Sequence, residues 1–342
     1  MKKVLHLLSS SEYSGAENVA CTIIQNIKDE YECVYSSPEG SIQEILKEKN
    51  ISYLPLNKLS YFQIKKIVKQ YQPDIIHAHD YKASCIASLF SKKSRIISHI
   101  HGNRETMRRK NVKSFIFKIL SKRIDTIIWV SDSCLNDFVY KDVVKDKSII
   151  LYNTVDKQNI INKSQEYKTN QKHDLIYLGR IDDVKNPERL FEIIKRLSYI
   201  KSDIKVAIVG NGPLLNRIKK LTEIFDLDRN IDFYGYLSNP YPILKKSKIL
   251  ILTSKWEGTP MVALEAQALN KPIVSTPIDG MKKIIKHQYN GFLCDTNDDF
   301  IQNILWMLKD NNYKKIQENI KRNFININNE KEYLKMIKKI YK

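Results

Sequence analysis

Short apolar runs alternate with longer amphipathic segments along the first half of the chain. The runs predict buried strands at residues 4–8, 33–36, 75–79, 95–99, 126–130 and 148–151. Segments with helical spacing of apolar residues lie between most of these runs, at 16–27, 42–49 and 61–71. Because strands that are connected by helices usually pair in parallel, the alternation predicts a doubly wound α/β sheet.

The same alternation begins again after a polar segment at 158–172, which we interpret as a linker. Strands are predicted at 174–178, 205–209, 232–234, 248–253 and 272–275, and helices at 187–197, 214–225, 261–269 and 298–308. A chain of 342 residues exceeds what one hydrophobic core usually serves. We therefore predict two Rossmann-like domains, at 1–165 and 166–325, followed by a basic helix at 326–342.

The net charge of +19 indicates an anionic partner, and three classes are open: nucleic acid, a membrane surface or an anionic substrate. Many lysines are scattered through helices rich in Lys, Ile and Asn, so the overall charge discriminates weakly among these classes. No run approaches the ~18 apolar residues of a membrane span. The five cysteines are dispersed and form no C-x-x-C motif, which is typical of reduced thiols. We expect a cytoplasmic protein.

Two carboxylates, Glu257 and Glu265, stand with seven residues between them, after the predicted strand at 248–253. A Gly-Thr-Pro turn follows Glu257, and its proline suits the first turn of a helix. The exposed amides at a helix start can bind anionic or hydroxyl-rich ligands. The two carboxylates are therefore placed to contact different parts of one ligand. Solvated carboxylates at the ends of an ordinary strand-to-helix loop are the alternative.

Arg180 and Lys185 follow the first predicted strand of the second domain. An arginine fork and a flexible lysine ammonium together suit two adjacent phosphates, whereas two surface cations are the alternative in a basic chain. The sequence Gly-Asn-Gly-Pro that starts at Gly210 follows the next strand. It lacks the third glycine of a dinucleotide fingerprint, so we favour a structural turn over a site for NAD.

Four histidines alternate on two neighbouring predicted strands, His77 with His79 and His99 with His101, so each pair shares one face. Histidines at neighbouring strand ends can form a metal site. No set of carboxylates or thiols completes such a site here, and we therefore predict no bound metal.

A basic segment at 104–123 combines cations with apolar residues. Its cations are Arg104, Arg108, Arg109, Lys110, Lys113, Lys118, Lys122 and Arg123, and its apolar residues include Phe115, Ile116, Phe117, Ile119 and Leu120. One interpretation is a segment that enters an anionic membrane surface with its apolar side chains. The other is an amphipathic helix whose apolar face packs on its own sheet.

In their order and spacing, Arg180, Lys185, Gly210, Glu257 and Glu265 resemble the motifs of the retaining GT-B glycosyltransferases of family 4, in which two glutamates form an E-x7-E signature. The order of the parts is most similar to bacterial capsule and exopolysaccharide enzymes. The resemblance implies the GT-B fold, in which two Rossmann-like domains face each other across a cleft. It also implies that the final helix returns to the N-terminal domain.

The resemblance further implies roles for individual residues. Arg180 and Lys185 would hold the diphosphate of a nucleotide sugar, and Glu265 would bind the ribose. Glu257 would approach the donor sugar as a catalytic or a positioning group, and His101 would contact the sugar or the acceptor. Other donor contacts would come from Gly15, Gly210, Tyr236, Leu237, Gly258, Thr259, Pro260 and Met261. The chain departs from the family pattern at Ser14 and Asn186, where glycine is usual.

The implied reaction moves a sugar, with a UDP-sugar as the expected donor, to a hydroxyl of a glycan or of a polyprenyl-diphosphate-linked acceptor. It would proceed with retention at the anomeric carbon and without a metal or another cofactor. A lipid-linked acceptor would place the protein peripherally at the inner face of the cell membrane. Two alternatives remain: another GT-B nucleotide-sugar enzyme, such as an epimerase, or a basic nucleic-acid-binding protein. Since the sequence contains no recognised nucleic-acid module, we predict no nucleic-acid partner.

Overall fold

The computed structural model describes residues 1–102 and 104–342, which divide into two compact units. Unit 1 contains Met1–Asn153 and Lys331–Lys342, and unit 2 contains Thr154–Glu330. The division falls after Asn153 and not after the predicted residue 165. The reason is that a helix at Lys157–Lys163 packs on other helices of unit 2.

Unit 1 is built on a parallel seven-stranded sheet. Its strands are β1 (Lys2–Leu7), β2 (Tyr31–Pro38), β3 (Tyr53–Leu56), β4 (Ile75–Ala78), β5 (Arg95–Ile100), β6 (Thr126–Trp129) and β7 (Ser148–Ile150). They pair in the order β3-β2-β1-β4-β5-β6-β7. Its helices are α1 (Gly15–Ile27), α2 (Ile42–Glu48), α3 (Tyr61–Tyr71), α4 (Tyr81–Ala87), α5 (Glu105–Arg108), α6 (Val112–Leu120), α7 (Asp132–Asn136) and α8 (Lys141–Val144).

Unit 2 repeats this plan on a parallel six-stranded sheet. Its strands are β8 (His173–Leu178), β9 (Val206–Val209), β10 (Ile231–Gly235), β11 (Ser247–Leu252), β12 (Ile273–Ser275) and β13 (Gly291–Leu293), in the order β10-β9-β8-β11-β12-β13. Its helices are α9 (Lys157–Lys163), α10 (Pro187–Ile200), α11 (Leu215–Ile224), α12 (Tyr241–Lys246), α13 (Met261–Ala268), α14 (Asp279–Ile284), α15 (Asn297–Met307) and α16 (Asp310–Ile327). The predicted class of two Rossmann-like α/β domains is confirmed.

The central strands are apolar because both of their faces are covered. Every residue of β4, β6 and β9 is buried, and apart from His77 and Thr126 these residues are apolar, as is typical of parallel strands. In a parallel sheet, all strands end at the same edge, and ligands of open α/β sheets bind beyond that edge. The loops that follow β8 and β11 in unit 2, and β4 and β5 in unit 1, are therefore the segments that matter for function.

The predicted linker at 158–172 is wrong in its first part, which is helix α9. The Asp156 Oδ1 atom accepts a hydrogen bond from the Asn159 amide at 2.9 Å and caps this helix. Ile160 is buried and anchors the helix in unit 2. The helix was not predicted because its segment is mostly polar and its apolar face is narrow.

Two edge strands, β3 and β13, escaped prediction. β3 contains Pro55 and lies at the edge of the sheet. Proline has no backbone N–H to donate to a neighbouring strand, so within sheets it occurs mainly in edge strands. β13 is only three residues long and begins at Gly291. Both strands are too short for a readable alternation of apolar residues.

The chain ends in helix α17 (Glu330–Tyr341), most of which belongs to unit 1. Tyr341 is fully buried, and its hydroxyl lies 2.6 Å from the His77 Nδ1 atom. The Lys2 ammonium donates to the Tyr341 carbonyl at 3.2 Å. Among the described helices, none is both long enough and apolar enough to cross a bilayer.

Candidate active site

The loop after β8 and the loop after β11 are tied together by hydrogen bonds in unit 2. The Thr253 hydroxyl donates to the carbonyls of Lys185 at 2.9 Å and Asn186 at 3.1 Å. The Lys255 amide donates to the Val184 carbonyl at 2.8 Å. These contacts bring the predicted phosphate-binding loop against the loop that carries the first carboxylate.

Glu257 is the centre of this arrangement. Its Oε2 atom lies 2.7 Å from the Lys185 ammonium, and its Oε1 atom accepts a hydrogen bond from the Ser254 hydroxyl at 2.5 Å. The two charged side chains are 12% and 20% exposed, so solvent screens their attraction only in part. A lysine ammonium has three donors, so Lys185 keeps N–H groups for a second anion.

Arg180 lies near Lys185 in sequence but in a more open position. Its side chain is 62% exposed, and its Nε atom lies 3.4 Å from the Asp182 carboxylate. The other Asp182 oxygen accepts the Lys185 amide at 3.2 Å and caps the short helical turn at Asp183–Lys185. One aspartate therefore holds both the turn and the arginine, and the guanidinium remains accessible.

Asn186, which stands where the family usually has glycine, adopts a left-handed conformation with φ 52° and ψ 57°. Glycine reaches this region without strain, and asparagine tolerates it better than most other residues. Pro187 follows as the first residue of α10, where its fixed φ suits a helix start. The departure at this position therefore preserves the backbone path.

Gly210 is explained by close backbone packing. It has φ +141°, and a Cβ atom there would lie 1.9 Å from the Gly179 carbonyl oxygen. A Cβ atom at Gly212 would lie 2.3 Å from the Ile181 carbonyl oxygen. These contacts favour the structural turn that the missing third glycine indicated. Any contact of Gly210 with a donor stays a prediction.

Glu265 lies on α13 and is almost completely buried. Burial raises the pKa of its carboxyl from 4.5 to about 7, against the lowering effect of a hydrogen bond from Tyr241. The carboxyl therefore titrates near neutral pH. An ionised carboxylate there can accept hydrogen bonds from two ligand hydroxyls.

The loop at 258–261 leads directly into α13. Gly258, Thr259 and Met261 can offer backbone amides, whereas Pro260 has none and can contribute only its ring and carbonyl oxygen. The Pro260 carbonyl accepts the Ala263 amide at 3.1 Å. A Cβ atom at Gly280 would lie 1.5 Å from the Gly258 carbonyl oxygen, so a glycine at the start of α14 fixes the position of this loop.

The predicted base-binding residues follow β10. Gly235 has φ +65° and turns the chain out of the strand, and Tyr236 is 55% exposed while Leu237 is half-buried. An exposed aromatic ring beyond a strand end can stack on a planar ligand. The role of both residues toward a nucleotide base stays a prediction.

Two predicted site residues lie in unit 1. Gly15 is exposed and begins α1. The preceding Ser14 donates from both its amide, at 3.1 Å, and its hydroxyl, at 2.5 Å, to the Glu17 carboxylate. This serine therefore caps the helix where the family usually has glycine. The half-buried His101 follows β5, and burial lowers its pKa to about 3, so its ring is neutral at pH 7.

Helix α6 carries most of the apolar residues of the basic segment and presents two different faces. Phe117 is fully buried, and Phe115 is 48% exposed. The exposed face consists of Val112, Phe115, Ile116 and Ile119. Residues at this spacing lie on one side of a helix. The alternative that the whole apolar face packs on the sheet is therefore wrong for these four side chains.

Several residues that contact the predicted site residues were not predicted from the sequence. They are Ser254, Asp182, Tyr241 and Gly280 in unit 2, and His6 in unit 1. Ser254 precedes Glu257 by three residues, a spacing that permits a hydrogen bond within one turn. Tyr241 and Gly280 gave no signal, because their contacts are with residues distant in sequence.

Two family models together cover most of the chain. A model of glycosyl transferases group 1 matches residues 156–325, and a model of glycosyltransferase family 4 matches residues 14–159. The chain belongs to this family of glycosyltransferases, so the predicted family and the predicted enzyme class are confirmed.

Individual relatives agree with this assignment. The chain is 26% identical, over 93% of both chains, to the N-acetylgalactosamine-N,N'-diacetylbacillosaminyl-diphospho-undecaprenol 4-alpha-N-acetylgalactosaminyltransferase of Campylobacter jejuni. It is 25% identical, over 86% of this chain and 81% of the relative, to the UDP-Gal:alpha-D-GlcNAc-diphosphoundecaprenol alpha-1,3-galactosyltransferase of Escherichia coli. Anabaena HepE in complex with UDP and glucose matches with a TM-score of 0.87 at 16% identity, covering 100% of this chain and 99% of HepE. The last match shows the shared GT-B fold.

Proposed function

We propose that this glycosyltransferase moves a sugar from a UDP-linked donor to a hydroxyl of a polyprenyl-diphosphate-linked glycan. The transfer proceeds with retention at the anomeric carbon. It serves the synthesis of a cell-surface glycan such as a capsule or exopolysaccharide. The names of the Campylobacter and Escherichia relatives support the acceptor class, since both contain an undecaprenol diphosphate. The complex of HepE with UDP supports the donor class.

The observation that carries the proposal is the contact of Lys185 with Glu257, at 2.7 Å, beside the exposed Arg180. In the proposal, Lys185 and Arg180 bind the diphosphate of the donor and stabilise the charge that develops when the sugar leaves. Glu257 keeps the Lys185 ammonium oriented, and Ser254 keeps Glu257 oriented. These residues supply cationic charge where a metal would otherwise be needed, so we propose transfer without a metal.

The nucleotide is proposed to lie along the loops of unit 2. Glu265 accepts hydrogen bonds from the ribose hydroxyls, for which its carboxyl must be ionised. The amides of Gly258, Thr259 and Met261 bind sugar hydroxyls or phosphate at the start of α13. His101, Gly15 and the residues after β10 complete the predicted donor contacts.

The exposed face of α6 supports a peripheral position at an anionic membrane. Its four apolar side chains are flanked by Lys113 and Lys118, and basic residues continue on both sides of the helix. Apolar side chains that enter the interface, together with cations near anionic headgroups, are the two elements of a peripheral membrane helix. A lipid-linked acceptor resides on such a surface.

The test is an assay with a panel of UDP-, GDP- and ADP-sugars and synthetic undecaprenyl-diphosphate-linked sugars, with EDTA present. The expected result is acceptor-dependent transfer from a UDP-sugar, with the anomeric configuration of the product determined by NMR. An inverted product would refute retention, and a loss of transfer in EDTA would refute the metal-free reaction. Conversion of the donor without an acceptor would instead indicate an epimerase.

A further inference from the structure

Five histidines lie together in unit 1, at and just beyond the ends of three central strands. They are His6 on β1, His77 on β4, His99 on β5, and His79 and His101 directly after β4 and β5. All but His101 are fully or almost fully buried. Burial disfavours the charged form of each imidazole and so lowers its pKa.

A chain of polar contacts links four of these rings. The His101 Nε2 atom lies 3.1 Å from His79 Nδ1, and the His79 Nε2 atom lies 3.0 Å from His6 Nδ1. The Tyr341 hydroxyl then lies 3.4 Å from His6 Nε2 and 2.6 Å from His77 Nδ1. Such contacts fix ring orientation, which is what the outer partners of metal-binding histidines do.

His99 stands outside this chain. It is fully buried, and neither of its ring nitrogens has a hydrogen-bond partner among the residues that the structure describes. The His101 Nδ1 atom also lacks one within the same part of the chain. A buried polar atom without a partner is costly, so the arrangement calls for a further group that satisfies these nitrogens.

We propose that His79, His99 and His101 form a binding site for a transition-metal cation of the zinc type. One nitrogen from each ring can be chosen so that all three lie within 4.8 Å of one another. Nitrogen ligands of a tetrahedral zinc ion, with Zn–N bonds of about 2.0–2.1 Å, lie about 3.4 Å apart. The His79 Nδ1 and His101 Nε2 atoms, at 3.1 Å, are already close to that separation.

The protons of the site can be arranged to suit a cation. His101 binds through Nε2 when its proton sits on Nδ1, which is free to carry it. His79 binds through Nδ1 when Nε2–H donates to His6. Binding then requires a change of tautomer and no loss of a proton from the site.

Three neutral imidazoles select the kind of metal. Imidazole suits Zn²⁺, Ni²⁺ and Cu²⁺, whereas Mg²⁺ and Ca²⁺ prefer oxygen ligands. The neighbouring Asp80 carboxylate accepts the amides of Ala83 and Ser9, each at 2.9 Å, and caps α4. The proposal departs from the sequence prediction of no metal, which stays untested. It concerns unit 1 alone, so it does not depend on the proposed transfer reaction.

The experiment consists of two titrations of the EDTA-treated protein. Binding of Co²⁺ is measured by the visible absorption of four- or five-coordinate cobalt, and binding of Zn²⁺ is measured by calorimetry. The expected result is one bound ion per chain. We expect His101→Asn to weaken binding at least about tenfold, as loss of a metal partner does. His99→Asn should act similarly, and His287→Asn, at an exposed histidine of unit 2, should have no effect.

Because His99 is buried, circular dichroism checks that its variant is folded. If the His99 variant is unfolded, the variant of the half-buried His101 alone decides the test. Dissociation constants above about 1 mM for both metals, or unchanged binding by His101→Asn, would overturn the proposal. A third outcome would also overturn it: His77→Asn loses metal binding while His101→Asn retains it. The ion would then lie among His6, His77 and His79.

Discussion

The Lys185 ammonium lies 2.7 Å from the Glu257 carboxylate, and this contact joins the loop after β8 to the loop after β11. Other hydrogen bonds also join these loops, since the Thr253 hydroxyl donates to the consecutive carbonyls of Lys185 and Asn186. The ion pair is therefore one of several contacts that join the two loops. It keeps a cation and an anion together at the edge of the sheet where ligands of this fold bind.

Replacement of Lys185 by alanine should reduce kcat for sugar transfer by about 10²–10³, the usual effect of removing one group that stabilises charge in a transition state. Steady-state kinetics with a UDP-sugar measures this. The matched control is Lys255→Ala, because Lys255 forms an ion pair with Asp183 at 2.7 Å in the adjoining loop but is more exposed. Equal losses in the two variants would argue against a specific role for Lys185.

Replacement of Glu257 by glutamine separates catalysis from positioning. The amide retains the size of the side chain but loses the charge that orients Lys185. If Glu257 is catalytic, its replacement should lower kcat with little change in KM. If Glu257 only positions the donor, its replacement should mainly raise KM for the donor. Full activity with both constants unchanged would remove Glu257 from the site.

Asn186 should tolerate glycine and reject a β-branched residue. Asn186→Gly should leave the melting temperature within a degree or two, because glycine adopts φ 52° freely. Asn186→Val should cost about 1–3 kcal/mol of stability through backbone strain, a shift of several degrees in thermal unfolding.

The control for this strain is Asn270→Val, at another left-handed asparagine with φ 56° after α13. Both valine variants should lower the melting temperature. Only the variant at 186 should also weaken the binding of a UDP-sugar, measured by calorimetry. If both variants bind it normally, the turn at Asn186 does not shape the donor site.

Glu265 should make both stability and donor binding depend on pH. Its folded-state pKa of about 7 lies above the value of 4.5 expected when unfolded. Its contribution to stability is therefore fully present below pH 4.5 and is lost as the pH rises to 7. At pH 8, Glu265→Gln should be more stable than the wild type by up to about 3 kcal/mol, and the difference should shrink toward pH 5.

Binding of UDP-glucose should follow the opposite trend, because the ionised carboxylate is the better acceptor for ribose hydroxyls. The wild-type affinity should rise between pH 6 and 8, and Glu265→Gln should bind more weakly with little pH dependence. The exposed Glu318→Gln serves as the control for both measurements. A wild-type affinity that is independent of pH would place Glu265 away from the ribose.

The fold could be predicted because the alternation of apolar runs and helical segments persists through both units. The order of Arg180, Lys185, Glu257 and Glu265 could be read in the same way, since each follows a predicted strand. Some of what escaped prediction at the candidate site depends on contacts between residues that are distant in sequence. Gly280 matters only because of the Gly258 carbonyl, and no local pattern reveals that contact.

The histidine cluster shows the same limit. Alternation placed His77 with His79 and His99 with His101, but His6 lies far away in sequence and joins them only because β1 pairs with β4, which sets His6 opposite His77. The segment 104–123 illustrates the converse case. Its composition was equally compatible with a packed face and a free one, and only the folded helix separates the buried Phe117 from the exposed Phe115.

The exposed face of α6 should control association with membranes. A variant with Phe115, Ile116 and Ile119 replaced by serine removes three side chains that are 44–49% exposed, so the melting temperature should change little. Binding to vesicles with anionic lipids should weaken at least about tenfold, because each partly inserted side chain contributes on the order of 1 kcal/mol. Phe62→Ser, at an aromatic residue of unit 1 that is 79% exposed, is the control and should bind like the wild type. Sedimentation with vesicles, repeated at high salt, measures both the apolar and the electrostatic parts. Unchanged sedimentation of the triple variant would show that α6 does not contact the membrane.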